Sequence, residues 1–265
     1  MGFVGKTFHA PLIRSIDGLK LAVVSSRDEE KVKARHSRCD RHRLTRRGDP
    51  ASGYRSRGDC LPNATHAPLA KLALNAGKHV VVDKPFTLDM QEARELIALA
   101  QEKQLLLSVF HNRRWDSDFL GIKQVIEQGL IGNVKHFESH FDRFRPEVRV
   151  RWREQNVPGS GLWFDLGPHL IDQALQLFGL PQSVQGNIAT LRQGAEINDW
   201  AHVVLNTPST RSFCTAACWS PAAARALPFT VTRAARSNKK PTSRRASCWR
   251  ASCPAAQAGA RMTIA

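Results

Sequence analysis

The order of apolar and polar positions in the first half of the chain predicts alternating helices and strands. A helix over 66–76 ends before Gly77, a common helix-terminating residue, and a Val-rich strand over 79–82 follows it. An amphipathic helix over 88–104 and an apolar strand over 105–110 come next. The Val run predicts a strand buried on both faces, as in a parallel sheet that helices cover.

The start of the chain predicts further elements of the same parallel sheet and its covering helices. Gly2 and Gly5 precede apolar residues at helical spacing. They match the second and third glycines of the G-x-G-x-x-G turn that binds a dinucleotide. A strand is predicted over 19–26, but the first strand and first glycine of that fingerprint have no counterpart. Residues 35–60 show no strand pattern where the third strand and most of the fourth are expected. The predicted Rossmann-like sheet is therefore incomplete.

The pattern changes after residue 116. Helices are predicted over 119–128 and 162–178, and alternating strands over 134–144, 183–191 and 200–205. These elements are typical of an α+β domain with a mainly antiparallel sheet. The sequence thus predicts an α/β chain: an incomplete Rossmann dinucleotide-binding domain over 1–116, then part of an α+β domain over 117–211.

Charge and cysteine are concentrated in two segments. The net charge is +16, yet residues 35–60 hold eight Arg, and residues 212–265 hold seven Arg and two Lys with no acid. All six cysteines lie in the same two segments, which lack an apolar period. One hypothesis is that both are frameshifted relative to an ancestral gene. The alternative is a basic loop and a disordered basic tail.

Composition also bears on the class of protein. The arginines are not interleaved with aromatic residues or placed on one helix face, so nucleic-acid binding is not predicted. Cys214, Cys218, Cys248 and Cys253 have no nearby His to complete a zinc site, so no metal is predicted. No apolar run is long enough for a membrane span and no signal peptide is recognisable, which predicts a cytoplasmic protein.

Two groups of residues are candidates for chemistry. Lys84 follows the Val strand and precedes Pro85, and open α/β sheets bind ligands at the carboxyl ends of their strands. A solvated lysine in an ordinary βα unit fits the same pattern. Asp165, His169 and Asp172 are four and three positions apart and share one helix face, where His169 can exchange a proton beside a carboxylate. Acids favoured at a helix N-terminus, with a histidine bonded to one of them, explain this spacing equally.

Several segments, in order, resemble the Gfo/Idh/MocA oxidoreductases, the family of glucose–fructose oxidoreductase and inositol dehydrogenase. The segment 77–85 is similar to the family's GKHV…EKP signature, with Asp83 in place of Glu. The other matching segments are 2–12, 62–66, 110–114 and 159–172. The resemblance is closest to the YdgJ-like bacterial branch and covers residues 1–34 and about 61–211.

The resemblance implies an NAD(P)-dependent oxidoreductase that transfers hydride to or from a sugar, polyol or related hydroxyl or carbonyl compound. His169 would be the acid or base, Lys84 would hydrogen-bond the reacting oxygen, and Asp165 would position His169 and the substrate. Intact relatives are expected to be homo-oligomers. A non-catalytic dinucleotide-binding or regulatory protein of the same fold is the alternative. The missing strands also predict that this chain is poorly stable and inactive.

The resemblance further implies which residues contact ligands. Cofactor contacts would come from Gly2, Phe3, Val4, Gly5, Ser26, Arg27, Pro62, Asn63, His66, Asp83, Lys84 and Pro85. The predicted second strand ends without an acid for a ribose 2′-hydroxyl, and Ser26 and Arg27 suit a 2′-phosphate, which favours NADP over NAD. Arg27 is equally explained as a solvated charge at a helix start. The substrate cleft would include Asn112, Arg113, Trp163 and Asp172.

Overall fold

The computed structural model describes residues 5–19, 21, 56–59, 63–218, 229–233 and 263–264. The chain forms two compact units, residues 1–110 and 111–265, a division close to the predicted one at 116. No helix within the described ranges is long and apolar enough to cross a membrane.

The first unit contains a three-stranded parallel sheet in the order β1-β2-β3. Its elements are a π-helical turn Gly5–His9 that continues into α1 (Ala10–Ser15), β1 (Ser56–Asp59), α2 (His66–Asn75), β2 (His79–Asp83), α3 (Met90–Glu102) and β3 (Leu107–Phe110). The helices predicted over 66–76 and 88–104 and the strands predicted over 79–82 and 105–110 are therefore confirmed.

Helices α2 and α3 bury their apolar faces together with β2. The buried cluster consists of Ala67, Ala70, Ala73, Leu74, Val80, Val82, Leu96 and Ala100. Val81, on the other face of β2, is only half-buried, so the strand is fully buried on one face rather than on both. Asp89 begins α3, because its carboxylate accepts hydrogen bonds from the backbone N–H groups of Gln91 (2.7 Å) and Glu92 (3.2 Å).

The first correction concerns β1. Residues 35–60 were expected to contain no strand, yet Ser56–Asp59 pairs in parallel with His79–Val82. Strand pairing uses main-chain groups, so it does not require the apolar alternation that this segment lacks. The predicted strand over 19–26 lies largely outside the described residues.

The second unit is built on a six-stranded mixed sheet in the order β5-β6-β7-β4-β8-β9. Its elements are α4 (Ser117–Glu127), β4 (Val134–Asp142), α5 (Leu162–Phe178), β5 (Ser183–Ala189), β6 (Trp200–Asn206), β7 (Arg211–Ala217), β8 (Phe229–Arg233) and β9 (Thr263–Ile264). The central pair β4–β7 is parallel, β8–β9 is also parallel, and the other pairings are antiparallel, as predicted for a mainly antiparallel sheet.

Helix α5 packs on one face of this sheet. The core between them consists of Leu162, Leu166, Leu170, Ala174, Val203, Leu205, Cys214, Ala216 and Cys218, with Phe141 and Trp163 at its margin. The apolar stripe predicted along α5 is therefore confirmed over Leu166, Leu170 and Ala174.

The second correction concerns residue 211, where the ordered domain was expected to end. Strand β7 lies between β6 and β4 and pairs with each over seven residues. Cys214 and Cys218 belong to its core rather than to a disordered tail, and burial raises the pKa of the Cys214 thiol to about 12. The inward residues of β7 are small, which explains why the strand pattern was weak.

Candidate active site

In the first unit, the turn after β2 is fixed by buried contacts. The Lys84–Pro85 peptide bond is cis, Pro85 is buried, and Lys84 is half-buried directly beyond the carboxyl end of the strand. His66, at the start of α2, donates from Nδ1 to the carbonyl oxygen of Pro85 at 2.7 Å. His66 is only 1% exposed and holds the turn that carries Lys84, and its contact with a cofactor stays a prediction.

Asp83 also has a structural partner. Its Oδ1 lies 3.2 Å from Nε2 of His9, and the His9 ring packs against Phe110 with 4.2 Å between centroids. These contacts tie the first helix to the ends of β2 and β3. The sequence analysis missed His9, since nothing in its local pattern indicates a partner 74 positions away.

The remaining predicted cofactor contacts fall into two groups. Gly5 is buried at the beginning of the first helix, and Asn63 is buried in a short 3-10 turn after β1. The others, Gly2, Phe3, Val4, Ser26, Arg27 and Pro62, lie outside the described residues.

In the second unit, the start of α5 is defined by Gly161 and Asn198. Gly161 has φ = +90°, and a Cβ there would collide with the Asn198 side chain. The Asn198 side-chain oxygen accepts from the backbone N–H of Trp163 (2.9 Å), and its carbonyl accepts from that of Leu162 (2.9 Å). The sequence analysis missed Asn198, which caps the helix from a distant loop.

Asp165 lies in the first turn of α5, between two arginines. Its carboxylate is 3.8 Å from Nη1 of Arg143 and 3.6 Å from Nε of Arg153. The Asp165 side chain is 20% exposed, so it remains accessible to a small molecule.

One turn further along α5, His169 is buried at 6% exposure. Its ring meets that of Phe141 edge-on, with 6.2 Å between centroids. The Arg113 guanidinium lies over the Phe141 ring, 4.9 Å from its centroid, and also pairs with Asp116 at 2.7 Å. Asp165 and His169 thus share one helix face, as the spacing predicted.

Asp172 is engaged by an arginine, and its place in a substrate cleft stays a prediction. Arg114 binds it with two nitrogens, Nη2 at 2.6 Å from Oδ1 and Nε at 2.8 Å from Oδ2, and Asp172 is 8% exposed. This hydrogen bonding raises the pKa of Arg114 against the opposing effect of burial. Together with a bond from Gln173 to the Arg113 carbonyl (3.1 Å), the pair attaches the turn Asn112–Trp115 to α5.

The other predicted cleft residues are partly exposed. Asn112 and Arg113 are half-buried in that turn, and Trp163 is half-buried on the margin of the α5 core. Lys84 belongs to the first unit, whereas Asp165, His169 and Asp172 belong to the second.

A buried arginine organises the loops beside Asp165. Arg192 is 6% exposed, and it bonds Asp199 (2.8 Å), Glu154 (3.1 Å) and the carbonyls of Arg145 and Glu147. Burial opposes its charge, but the carboxylates outweigh this and raise the pKa of Arg192. The sequence analysis missed this residue, because its partners are 7 to 47 positions away.

Two family descriptions match most of the described chain. Residues 60–111 match the model of the oxidoreductase family with an NAD-binding Rossmann fold. Residues 119–234 match the C-terminal domain of the GFO/IDH/MocA proteins. The chain therefore belongs to the Gfo/Idh/MocA oxidoreductase family, and the matched domain extends beyond residue 211.

Individual relatives agree with this assignment. The chain is 55% identical over 215 residues to the uncharacterized oxidoreductase YdgJ of Escherichia coli, a match that covers 79% of this chain and 61% of YdgJ. It is 38% identical over 207 residues to the scyllo-inositol 2-dehydrogenase (NADP(+)) IolW of Bacillus subtilis, covering 77% of this chain and 57% of IolW.

Solved structures show the same likeness. A Klebsiella pneumoniae protein, provisionally described as an oxidoreductase, matches with a TM-score of 0.78 and 67% identity over 87% of this chain and 63% of its own. The chain thus spans about three fifths of the length of the relatives that it matches.

Proposed function

We propose that this chain is an NAD(P)-dependent oxidoreductase that transfers hydride to or from a hydroxyl-bearing carbon of a sugar, polyol or related compound. The observation that carries the proposal is the face of α5 that presents Asp165 and His169 one turn apart. Family membership supports it, and so does the name of IolW, which describes a polyol dehydrogenase.

The chain's own residues supply acid–base chemistry. Oxidation of an alcohol requires that the hydroxyl proton leave as hydride departs, and His169 takes that proton in oxidation and returns it in reduction. The edge-on Phe141 ring restricts the His169 imidazole, and Asp165 lies one turn earlier on the same helix face. Lys84 hydrogen-bonds the reacting oxygen and stabilises its negative charge.

The first unit suits a dinucleotide. In a parallel sheet the carboxyl ends of β1 and β2 lie at one edge, and Asn63 and Lys84 follow these ends with donors for ribose and phosphate oxygens. The nicotinamide ring would supply the hydride chemistry. The NADP dependence in the name of IolW supports a preference for NADP.

The earlier expectation of an inactive chain rested partly on missing strands. Strands β1 and β7 supply two of the elements that seemed absent, whereas the first and third strands expected in the first unit have no counterpart among the described residues. Inactivity itself stays a prediction, which the assay below also tests.

The test is a spectrophotometric screen of NADP- and NADPH-linked turnover with inositols, sugars and sugar acids. We expect His169→Gln to lower kcat about 100-fold or more, as loss of a general acid–base does. The matched control is His202→Gln, since His202 lies on β6 and bonds only the Thr215 hydroxyl (2.9 Å) among the described contacts. Unchanged turnover in His169→Gln, or no turnover by the parent chain with any compound, would contradict the proposal.

A further inference from the structure

The connection between β4 and α5 concentrates positive charge beside Asp165. Arg143, Arg145, Arg149, Arg151 and Arg153 occur within eleven residues. Few carboxylates surround these arginines. Which arginine each carboxylate pairs with therefore decides how much of the positive charge is neutralised.

Two of these carboxylates are fully engaged. Glu154 accepts from Arg151 Nε (2.8 Å), Arg192 Nη2 (3.1 Å) and the backbone N–H of Arg149 (3.0 Å). Asp199 accepts from Arg192 Nε and from two backbone N–H groups. Among the described residues, the carboxylate that pairs with Arg143 and Arg153 is that of Asp165, at 3.8 and 3.6 Å, distances longer than a hydrogen bond.

Arg145 is left with no counter-charge among the described residues. Its backbone is fixed, because its N–H donates to the Cys218 carbonyl (2.8 Å) and its carbonyl accepts from Arg192 (3.1 Å). Its guanidinium forms no ion pair or hydrogen bond within the described part of the chain. Burial, and then repulsion from neighbouring arginines, lower the pKa of Arg145.

We propose that the arginines of residues 143–153 provide a subsite for an oxyanion, and that the substrate therefore carries a carboxylate or phosphate group beside the hydroxyl that reacts. The guanidinium fork binds either group through two parallel hydrogen bonds. Asp165 lies within 3.8 Å of two of these arginines, so the subsite adjoins the proposed catalytic helix. The claim that the bound anion belongs to a substrate rests on the proposed function. The anion site itself does not depend on that function.

The first experiment measures anion binding without redox chemistry. The thermal midpoint of the full chain is followed with inorganic phosphate, and with chloride at equal ionic strength. Arg145→Gln is compared with Arg94→Gln, a control that removes an exposed arginine from α3. We expect phosphate to raise the midpoint of the parent chain and of Arg94→Gln beyond the chloride effect, and Arg145→Gln to bind phosphate at least tenfold more weakly. If Arg145→Gln fails to fold, Arg153→Gln is used with the same expectation.

Equal phosphate and chloride effects on the parent chain, or an unchanged response in the Arg145 variant, would overturn the subsite.

A second experiment compares turnover of gluconate, glucose 6-phosphate and neutral inositol, so that its arms distinguish carboxylate from phosphate. Turnover of neutral compounds alone would reject the anionic substrate and leave the proposed function standing. Arg145-dependent phosphate binding without turnover of any compound would keep the subsite and reject the proposed function.

Discussion

Gly167 is a residue of α5 whose missing side chain leaves room for an indole ring. A Cβ at this position would lie 2.7 Å from the ring of Trp163, which packs on the core between α5 and the sheet. We therefore expect Gly167→Ala to displace Trp163 and lower the free energy of unfolding by about 1–3 kcal/mol, the range typical of overpacking. Urea denaturation followed by tryptophan fluorescence measures this change.

The control for this substitution is Gly121→Ala in α4. Gly121 is also inside a helix, but a Cβ there would meet nothing within 4 Å. This variant should gain about 0.5–1 kcal/mol from helix propensity alone. Equal gains in both variants would show that Trp163 does not lie over Gly167.

At the scale of residues, spacing identified side chains but not their partners. Asp165 and His169 were predictable because both lie on one helix, where a period of 3.6 residues places them together. Arg114 and Asp172 are 58 positions apart, so the charge of Asp172 was visible in the sequence but its bidentate partner was not. For the same reason Asn198 and His9 gave no local signal.

Strand β4 carries a line of alternating ionisable side chains on the face that points away from α5. His136 Nε2 lies 2.8 Å from Glu138, and His140 lies 3.5 Å from Glu138 and 3.6 Å from Asp142. The Asp142 carboxylate, helped by Glu138, outweighs burial and raises the pKa of His140 above its ordinary 6.5. Burial alone would raise the pKa of Glu138, but both histidines outweigh it and lower that pKa below 4.5.

These shifts predict a stability that depends on pH. The contribution of protonated His140 is complete below its unfolded pKa and is lost as the pH rises through the raised folded value. The contribution of Glu138 is present above its unfolded pKa and is lost as the pH falls through the lowered folded value. The line of charges therefore stabilises the fold most between these two limits.

We expect His140→Gln to reduce the free energy of unfolding by about 0.5–1 kcal/mol at pH 6, since the pairs are partly solvent-exposed. At pH 9 the parent chain has lost most of this contribution, so the two chains should differ less. Urea denaturation at both values measures the difference. An equal loss at pH 6 and pH 9 would mean that packing of the ring, rather than its charge, explains the effect.

At the scale of elements, the strength of the side-chain pattern decided which ones could be predicted. The predicted limits of α5 coincide with the observed Leu162–Phe178, because its apolar stripe is long and uninterrupted. In β7 the buried positions are Ser212, Cys214, Ala216 and Ala217, whose small side chains produce weak alternation. Strand β1 pairs through its main chain alongside β2, and its Ser-Arg-Gly-Asp sequence contains nothing that indicates a strand.

At the scale of the whole molecule, the basic C-terminal region does not behave as one segment. One of the two hypotheses for it was a disordered tail from 212, yet β7 is a central strand and β8 pairs with β4 over five positions. The family match ends at residue 234, close to the end of β8. The only element described after β8 is β9, which adds two paired residues at the edge of the sheet.

Two shortened chains test this difference. Among the described elements, a chain that ends at residue 234 loses β9 alone, so we expect an unfolding midpoint close to that of the parent. A chain that ends at residue 211 loses β7, which leaves β6 and β4 without their shared partner and uncovers the α5 face that packs on Cys214 and Ala216. Because ordered residues must be offset by buried apolar surface, the second unit of this shorter chain should not fold cooperatively. Far-UV circular dichroism during thermal unfolding, with limited proteolysis of residues 111–211, measures the outcome. A protease-resistant second unit in the chain that ends at 211 would show instead that the predicted boundary was right.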